Sequence, residues 1–131
     1  MDKWKFTAEI EISLTAEDID DIMASALEGG ICYWADRAVV AGEYLGEFAS
    51  DQISRGGTLN IHLVEPFDEE DNLWYELNRD KFINGFKLWL ESGGDVYSAV
   101  TSDGAVDTYQ IDGTCADCIV QLALFGEVVF G

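Results

Sequence analysis

The chain has 131 residues, of which 48% are hydrophobic, and its 26 Asp and Glu against 7 Lys and Arg give a formal net charge of -19. This apolar content argues against disorder and predicts one folded domain, because apolar burial offsets the conformational entropy lost on folding. The scarcity of cations argues against direct binding to nucleic acid or to an anionic membrane, since each phosphate contact needs a positive charge.

Residues 1–14 alternate polar and apolar side chains, without the continuous apolar run of a signal peptide, and no membrane span follows. The chain has three cysteines, Cys32, Cys115 and Cys118. An odd number of cysteines without a secretory signal is typical of reduced thiols. We therefore expect a cytoplasmic protein.

The first predicted element is a half-buried strand over residues 5–14, because apolar residues occupy every second position. These residues are Phe6, Ala8, Ile10, Ile12 and Leu14. Thr15 then opens the sequence Thr-Ala-Glu-Asp, which is typical of a capped helix start. The apolar spacing that follows predicts a helix over about residues 16–28.

Gly29 and Gly30 are expected to end this helix with a positive φ angle. The aromatic and β-branched run that follows predicts a strand over residues 31–41. Two structures compete for residues 44–53, a short helix and an irregular segment, and the apolar spacing slightly favours the helix.

A predicted turn at residues 55–58 precedes a strand over residues 59–64, which alternates apolar and polar side chains and ends before Pro66. A short strand over residues 73–77 is expected to form a hairpin with it. The middle of the chain therefore contributes an antiparallel pair to the sheet.

Asn78 can cap a helix over residues 79–91, whose apolar side chains share one face, and the Gly-Gly pair at 93–94 is expected to stop it. Residues 96–112 are predicted to form a second hairpin around a turn at 102–104.

The last predicted helix covers about residues 115–125 and is apolar nearly all round, so we expect it to be the most buried. Thr114 and Asp117 repeat the capping spacing at its start, and Gly126 is expected to cap its end. Residues 127–130 are predicted to form a terminal strand.

Strands and helices occur without a repeating strand-helix rhythm. The sequence therefore predicts a single compact α+β domain over residues 1–131, with about three helices against one face of a mainly antiparallel sheet.

The pair Cys115 and Cys118 has the spacing of a metal or redox motif. Structural zinc needs four ligands, and only Cys32 and His62 remain to complete a set. Cysteines three apart in an apolar helix are more often packed thiols, so we expect no metal and no cofactor.

His62 is the only histidine, so a Ser-His or Cys-His mechanism would have to use it. No nucleophile motif accompanies it, and its position opposite the apolar residues of a strand predicts a surface histidine. We therefore expect a binding protein without catalytic residues.

Two groups of carboxylates form the candidate partner-binding surface. The first, on the first helix, is Glu17, Asp18, Asp20 and Asp21, and the second, after the middle strand, is Glu65, Asp68, Glu69, Glu70 and Asp71. Neither has the spacing of a calcium-binding EF-hand loop. The simplest interpretation is that both groups are solvated acidic faces. A catalytic pair of carboxylates, as in glycosidases, is defined by the distance between the two groups, which the sequence does not show.

Arg55 is the candidate for anion binding, because its guanidinium precedes Gly56 and Gly57, whose backbone amides can be exposed. The simpler interpretation, which we favour, is a turn arginine paired with a carboxylate. If a pocket exists here, the aromatic residues Tyr33, Trp34 and Phe48 are candidates for its walls.

Three segments, residues 17–34, 42–57 and 116–131, resemble small uncharacterised acidic proteins of bacteriophages, prophages and mobile elements of Gram-positive gut bacteria. The resemblance covers most of the chain. It implies an origin in a mobile element and assigns no activity to any residue.

These observations favour an accessory protein that counteracts host defence in the host cytoplasm, similar in action to anti-CRISPR proteins. Its carboxylates would take the place of phosphates on the basic nucleic-acid-binding surface of a host protein. One alternative is a small-ligand or nucleotide-signal binder that uses the Arg55 region, and another is a structural scaffold formed by a homo-oligomer.

Overall fold

The computed structural model describes residues 2–92 and 96–131. These residues form a three-stranded antiparallel sheet and three helices of ten residues or more, which confirms the predicted α+β class. The Gly-Gly pair at 93–94, predicted to stop a helix, lies outside the described residues.

The helices and strands follow one another in the order predicted for the middle of the chain. The helices are α1 (Ala16–Ser25), α2 (Arg79–Glu91), the single turn α3 (Val96–Ala99) and α4 (Gly113–Phe125), and the strands are β1 (Ala35–Val40), β2 (Leu59–Leu63) and β3 (Trp74–Leu77). The predicted hairpin of β2 and β3 and the Asn78 cap on α2 are confirmed.

The sheet has the order β1-β2-β3, with β2 at its centre. Leu59, Ile61 and Leu63 of β2 are fully buried, while Asn60 and His62 point to the opposite face and are only half-buried. This alternation buries one face of the sheet in the core and leaves the other at the surface.

Helices α2 and α4 pack closely at Gly85 of α2. A Cβ atom at this position would lie 2.6 Å from the carbonyl oxygen of Ile119 and 2.7 Å from the Cβ of Ala123. Because only a glycine leaves this space, the two backbones can approach, and Phe82 and Phe86 of α2 enter the core beside them.

The N-terminal strand predicted over residues 5–14 is wrong. Only Ile12 and Leu14 are half-buried, and one isolated bridge joins Ser13 to Ala105. The segment runs beside α2, where Ile10 and Ile12 lie near Ile83. A helix offers no free backbone groups to an extended chain, so the alternating pattern alone does not make a strand here.

The start of α1 is confirmed, because Thr15 and Asp18 form a reciprocal capping box. Its end differs from the prediction, since neither Gly29 nor Gly30 has a positive φ angle. The helix instead widens into a π-helical turn, Ala26–Gly30, and residues 31–34 form a turn rather than the predicted strand, so β1 begins only at Ala35.

Residues 44–53 are irregular except for a 3₁₀ turn at Ala49–Asp51, so the helix that the spacing slightly favoured is wrong. The buried side chain of Gln52 explains the difference. Its amide oxygen accepts from the backbone N–H of Leu45, and its amide nitrogen donates to the carbonyl of Phe48, both at 2.8 Å. These bonds satisfy backbone groups that a helix would otherwise pair.

The predicted second hairpin in residues 96–112 is reduced to its turn. Gly104 donates to the carbonyl of Thr101, and a single bridge joins Val100 to Val106. The flanking residues form α3 and a 3₁₀ turn, Thr108–Gln110, because one bridge is too short to propagate a ladder.

Helix α4 begins two residues earlier than predicted, and Asp112 rather than Thr114 is its cap. The Asp112 carboxylate accepts from the backbone N–H of Cys115 at 2.9 Å, and this bond holds the pKa of Asp112 below its usual range. Asp117, predicted to complete a capping box, points into the protein. Gly126 ends the helix in the left-handed conformation, as predicted.

The terminal strand predicted over residues 127–130 is wrong. The backbone N–H groups of Val129 and Phe130 both donate to the side-chain oxygen of Gln121, at 2.8 Å each. The buried Gln121 side chain of α4 therefore pairs backbone N–H groups that a neighbouring strand would otherwise pair.

We predict that Gly30→Ala lowers the free energy of unfolding by about 1–3 kcal/mol, because a Cβ at Gly30 would lie 2.5 Å from the carbonyl oxygen of Gly113 and would force α4 away. Gly29→Ala is the matched control, since nothing lies within 4 Å of a Cβ at that position. Chemical denaturation measures both. Equal stability of the two variants would show that the contact between Gly30 and Gly113 is not tight.

Candidate functional site

An acidic groove lies between α1 and the 3₁₀ turn that precedes Gln52. Its volume is about 460 Å³. The residues that line this acidic groove are Asp20, Asp21, Ala24, Leu27, Glu28, Phe48, Ala49, Ser50 and Asp51. Two of the predicted acidic residues, Asp20 and Asp21, are therefore brought together with two further carboxylates and an aromatic ring.

Asp20, Asp21 and Asp51 of the groove accept hydrogen bonds from neighbouring donors. The hydroxyl of Ser54 donates to Asp20 at 2.5 Å, and the hydroxyl of Thr108 donates to Asp21 at 3.0 Å. The backbone N–H of Phe48 donates to Asp51 at 3.2 Å. These bonds restrict the side chains, so a bound partner would meet anions in defined positions.

No Lys or Arg of the described residues forms an ion pair with a carboxylate of this groove. The ion pairs within the part of the chain that the structure describes are His62 with Asp36 and Lys87 with Glu91, and neither lines the groove. Arg55 lies near Asp51 and offsets part of the charge, and the other carboxylates of the groove remain available to a positively charged partner.

The groove also has an apolar wall. Phe48 is 59% exposed, and Ala24 of α1 and Leu27 of the following π-helical turn line the groove with it. An exposed aromatic ring beside carboxylates suits a lysine or arginine side chain, because the ring face attracts the cation and the carboxylates pair with it.

The remaining acidic residues of α1 do not line the groove. Asp18 is occupied by the capping box with Thr15, where it accepts the backbone N–H of that residue at 2.9 Å. Glu17 is exposed on the first turn of the helix. The two residues therefore have different surroundings from Asp20 and Asp21.

The second acidic group occupies the loop between β2 and β3. Asp68 accepts a hydrogen bond from the hydroxyl of Tyr75 at 3.2 Å and from the backbone N–H of Glu70 at 3.1 Å. The other members of the group, Glu65, Glu69, Glu70 and Asp71, are exposed. None of them lines the acidic groove, so the two predicted acidic surfaces are separate.

Tyr33 and Trp34, candidates for a ligand pocket, instead bind a buried carboxylate. The Tyr33 hydroxyl and the Trp34 indole N–H both donate to Asp117 at 2.6 Å. The amide of Gln121 donates to the same carboxylate at 2.9 Å. Burial, followed by the bond to Asp117, raises the pKa of Tyr33 to about 12, so this hydroxyl stays protonated as a donor.

A pocket of about 760 Å³ lies over this network. Its walls include Tyr33 together with the carboxylate residues Glu28, Asp112 and Asp117, and no Lys or Arg of the described chain lines it. Arg55 and Phe48 do not line this pocket, so the structure does not bring the predicted ligand-binding residues together there.

Arg55 has its guanidinium beside Gly46, where a Cβ would lie 2.8 Å from the Nε of Arg55 and 3.1 Å from the Oδ2 of Asp51, so this cation lies near one carboxylate of the acidic groove. Gly56 has a positive φ angle, as a turn glycine, and Gly57 packs against Gln52 and Leu45. The expected ion pair of Arg55 with a carboxylate is not formed among the described residues.

His62 pairs with a carboxylate on the outer face of the sheet. Its Nδ1 lies 2.6 Å from the carboxylate of Asp36, and this bond holds the pKa of Asp36 below its usual range. The Trp74 ring packs edge-on against the His62 ring, with 4.6 Å between the ring centroids, and the Arg37 guanidinium lies over the Trp74 ring. No Ser or Cys of the described residues hydrogen-bonds to His62, so the pair lacks the nucleophile of a Ser-His or Cys-His mechanism.

The three cysteines are free thiols, with Cys32 exposed and both Cys115 and Cys118 half-buried on α4. Burial, followed by the Asp112 carboxylate, raises the pKa of Cys115 to about 11, and burial also raises that of Cys118. Within the described part of the chain, no three His, Cys, Asp or Glu side chains are close enough to hold a metal ion.

Two carboxylates of the acidic groove were missed by sequence reasoning. Glu28 lies seven residues after Asp21, two helical turns along the same face, so the helical period was a usable signal. Asp51 reaches the groove only because its irregular segment folds back onto α1, and no local sequence pattern predicts that contact.

A scan against protein-family models found no match, and neither did searches of curated proteins and of solved structures. The function of the chain must therefore be inferred from its own residues. Among the described residues, no helix is long and apolar enough to cross a membrane.

We predict that a thiol reagent at neutral pH labels Cys32 at least about tenfold faster than Cys115 or Cys118. Cys32 is exposed, whereas the raised pKa values of the other two leave very little reactive thiolate. Mass spectrometry of peptides after timed labelling measures the three rates. Similar rates at all three cysteines would contradict the packed surroundings of Cys115 and Cys118.

Proposed function

We propose that this chain is an accessory binding protein of a bacteriophage or mobile element, which counteracts host defence by engaging the basic nucleic-acid-binding surface of a host protein. The acidic groove is the primary contact in this proposal. The action is similar to that of anti-CRISPR proteins, requires no catalytic residue and takes place in the host cytoplasm.

The observation that carries the proposal is the set of four carboxylates in the acidic groove, Asp20, Asp21, Glu28 and Asp51, without a paired cation among the described residues. In a chain of net charge -19, this groove concentrates negative charge in a concave surface. Such a surface attracts a positively charged partner and accelerates its association.

The spacing of these carboxylates favours a partner with several separate cations over a single metal ion. No three metal-binding side chains of the described residues are close enough to share an ion. A nucleic-acid-binding surface presents Lys and Arg at intervals, because it normally contacts successive phosphates. Separate and hydrogen-bonded carboxylates can occupy the same positions as those phosphates.

Phe48 adds a contact that a phosphate backbone does not provide. Its exposed ring lines the same groove as the carboxylates, where it can pack on a guanidinium or on the aliphatic part of a lysine. An apolar contact of this kind would let the chain compete with nucleic acid even when salt weakens the charge attraction.

The alternative of a nucleotide-signal binder has less support from the charge distribution. The pocket over Tyr33 is lined by Glu28, Asp112 and Asp117 and by no Lys or Arg of the described residues, so it repels an anionic ligand. Arg55, the residue predicted to bind an anion, does not line that pocket.

The origin in a mobile element rests on the resemblance of residues 17–34, 42–57 and 116–131 to small acidic phage proteins. The acidic groove itself includes Asp20 to Glu28 of the first segment and Phe48 to Asp51 of the second. The segments that carry the resemblance therefore also build the proposed contact surface.

The test uses a variant of the groove with two charges removed, Asp21→Asn/Glu28→Gln. The amide oxygen of Asn at position 21 can still accept the hydroxyl of Thr108, so the fold should be kept. The immobilised chain is used to capture proteins from a bacterial lysate, and duplex DNA is added as competitor. We expect a basic nucleic-acid-binding protein that DNA displaces and that binds the groove variant about tenfold more weakly.

The matched control is Glu69→Gln/Glu70→Gln, which removes the same charge from the loop between β2 and β3. We expect its affinity for the captured protein to stay within about threefold of the original, because exposed charges at a distance act mainly on the association rate. Equal weakening of both variants would assign the effect to net charge rather than to the groove. Captured proteins that DNA does not displace would contradict the proposal.

A further inference from the structure

The N-terminal arm, residues 2–10, is an exposed apolar segment. Its large side chains Trp4, Phe6 and Ile10 are 85%, 88% and 70% exposed. The chain is anchored just beyond the arm, where the backbone N–H of Ser13 donates to the carbonyl of Gly104 at 2.9 Å. The arm therefore begins at a fixed point, with Ile10 near Ile83 of α2, and the side chains of Trp4 and Phe6 farther along it lie in water.

The arm has the composition of a strand but no strand beside it. Apolar residues occupy alternate positions from Phe6 onward, and no residue of the arm belongs to a ladder in the described chain. An extended backbone without a neighbour has donors and acceptors that only water or another chain can satisfy. An alternating segment of this kind is suited to adding a strand to an open sheet edge.

One edge of the sheet, at β3, is already partly occupied. The side chain of Asn72 accepts from the backbone N–H of Trp74 at 3.3 Å, and the ammonium group of Lys81 donates to the carbonyl of Glu76 at 2.8 Å. These bonds cover groups that an added strand would use, which is a common protection of sheet edges.

The other edge, at β1, is open. The backbone N–H of Ala41 donates to Thr58, and Val39 pairs with Asn60, so the antiparallel alternation directs the peptide groups of Ala38 and Val40 away from β2. Among the described residues, no backbone group outside the sheet bonds to Ala38 or Val40. This edge can accept a further strand.

A cavity of about 260 Å³ lies beside β1 and could receive side chains of such a strand. Its walls include the apolar residues Leu27, Ile31, Ala35, Ala38 and Ala49. The arm presents Phe6 and Ile10 on one side of its backbone, so it combines free peptide groups with apolar side chains for this cavity.

We propose that the arm of one copy of this chain pairs in antiparallel orientation with β1 of a second copy, and that the exchange is reciprocal. Two identical contacts related by a two-fold axis close the assembly as a dimer. The nine residues of the arm reach about 30 Å when extended, which allows it to cross to another molecule.

The start of the arm is positively charged, because Lys3 and Lys5 outweigh Asp2, and the residues that follow β1 are acidic. Lys3 and Lys5 are two of the seven cations in the chain and lie at the start of the arm. Antiparallel pairing brings this start near the end of β1, after which the exposed residues Glu43 and Glu47 follow. Because of this local attraction, we assign the strand that pairs with β1 to a second copy of the chain, although both molecules carry a net negative charge.

Analytical ultracentrifugation of the full chain tests the proposal at about 0.15 M salt, where the screening length of about 8 Å weakens the repulsion between two acidic bodies. We expect a dimer at high micromolar concentration. Trp4→Ser/Phe6→Ser should give a folded monomer, because these side chains are exposed and removing them leaves the core intact. Tyr109→Ser, at a 97% exposed aromatic residue outside the arm, should remain dimeric.

Hydrogen exchange locates the contact on the sheet edge. The amides of Ala38 and Val40 should exchange at least about tenfold more slowly in the original chain than in the arm variant, because pairing protects them. A monomeric original chain would overturn the proposal, since the arm would then be exposed or bound to its own sheet. A dimeric arm variant, loss of the dimer in Tyr109→Ser, or unchanged exchange at Ala38 and Val40 would also overturn it.

Discussion

The arrangement of this fold depends on the hydrogen bonds to the buried carboxylate of Asp117. A buried charge costs several kcal/mol unless donors surround it, and here Trp34, Tyr33 and Gln121 all donate to it. Gln121 in turn binds the backbone of Val129 and Phe130. One carboxylate on α4 thus fixes the turn before β1 and, through its neighbour, the C-terminal segment. The Phe130 ring then stacks on Trp34 at 5.4 Å and completes the enclosure.

The same turn sets the position of the acidic surface. Because residues 31–34 are held against α4, α1 leads through its π-helical turn into β1, and the irregular segment before β2 folds back onto α1. Asp20 and Asp51 approach each other through this return, although they are far apart in sequence. A chain of net charge -19 therefore concentrates part of its charge in a concave groove, which distinguishes it from a uniformly solvated acidic face.

Local signals in the sequence correctly predicted several caps and one hairpin. The Thr15 capping box, the Asn78 cap and the hairpin of β2 and β3 each depend on a few adjacent residues, and all are present. The alternation of residues 5–14 failed because a strand also needs a partner edge, which the sequence does not specify. Asp117 has capping spacing, but its role depends on Trp34, 83 residues away. Of the groove carboxylates, Asp21 and Glu28 are separated by a helical period that the sequence displays, whereas Asp51 lies in a different segment.

A double-mutant cycle on Trp34→Phe and Asp117→Asn measures the central interaction directly, with free energies of unfolding from chemical denaturation. Trp34→Phe removes the buried donor, and Asp117→Asn removes the charge while keeping the shape. If the charged hydrogen bond holds the fold together, each single change costs about 2 kcal/mol or more, and the double variant costs at least about 1 kcal/mol less than their sum. Additive effects, within about 0.5 kcal/mol, would show that the Asp117 carboxylate does not depend on Trp34.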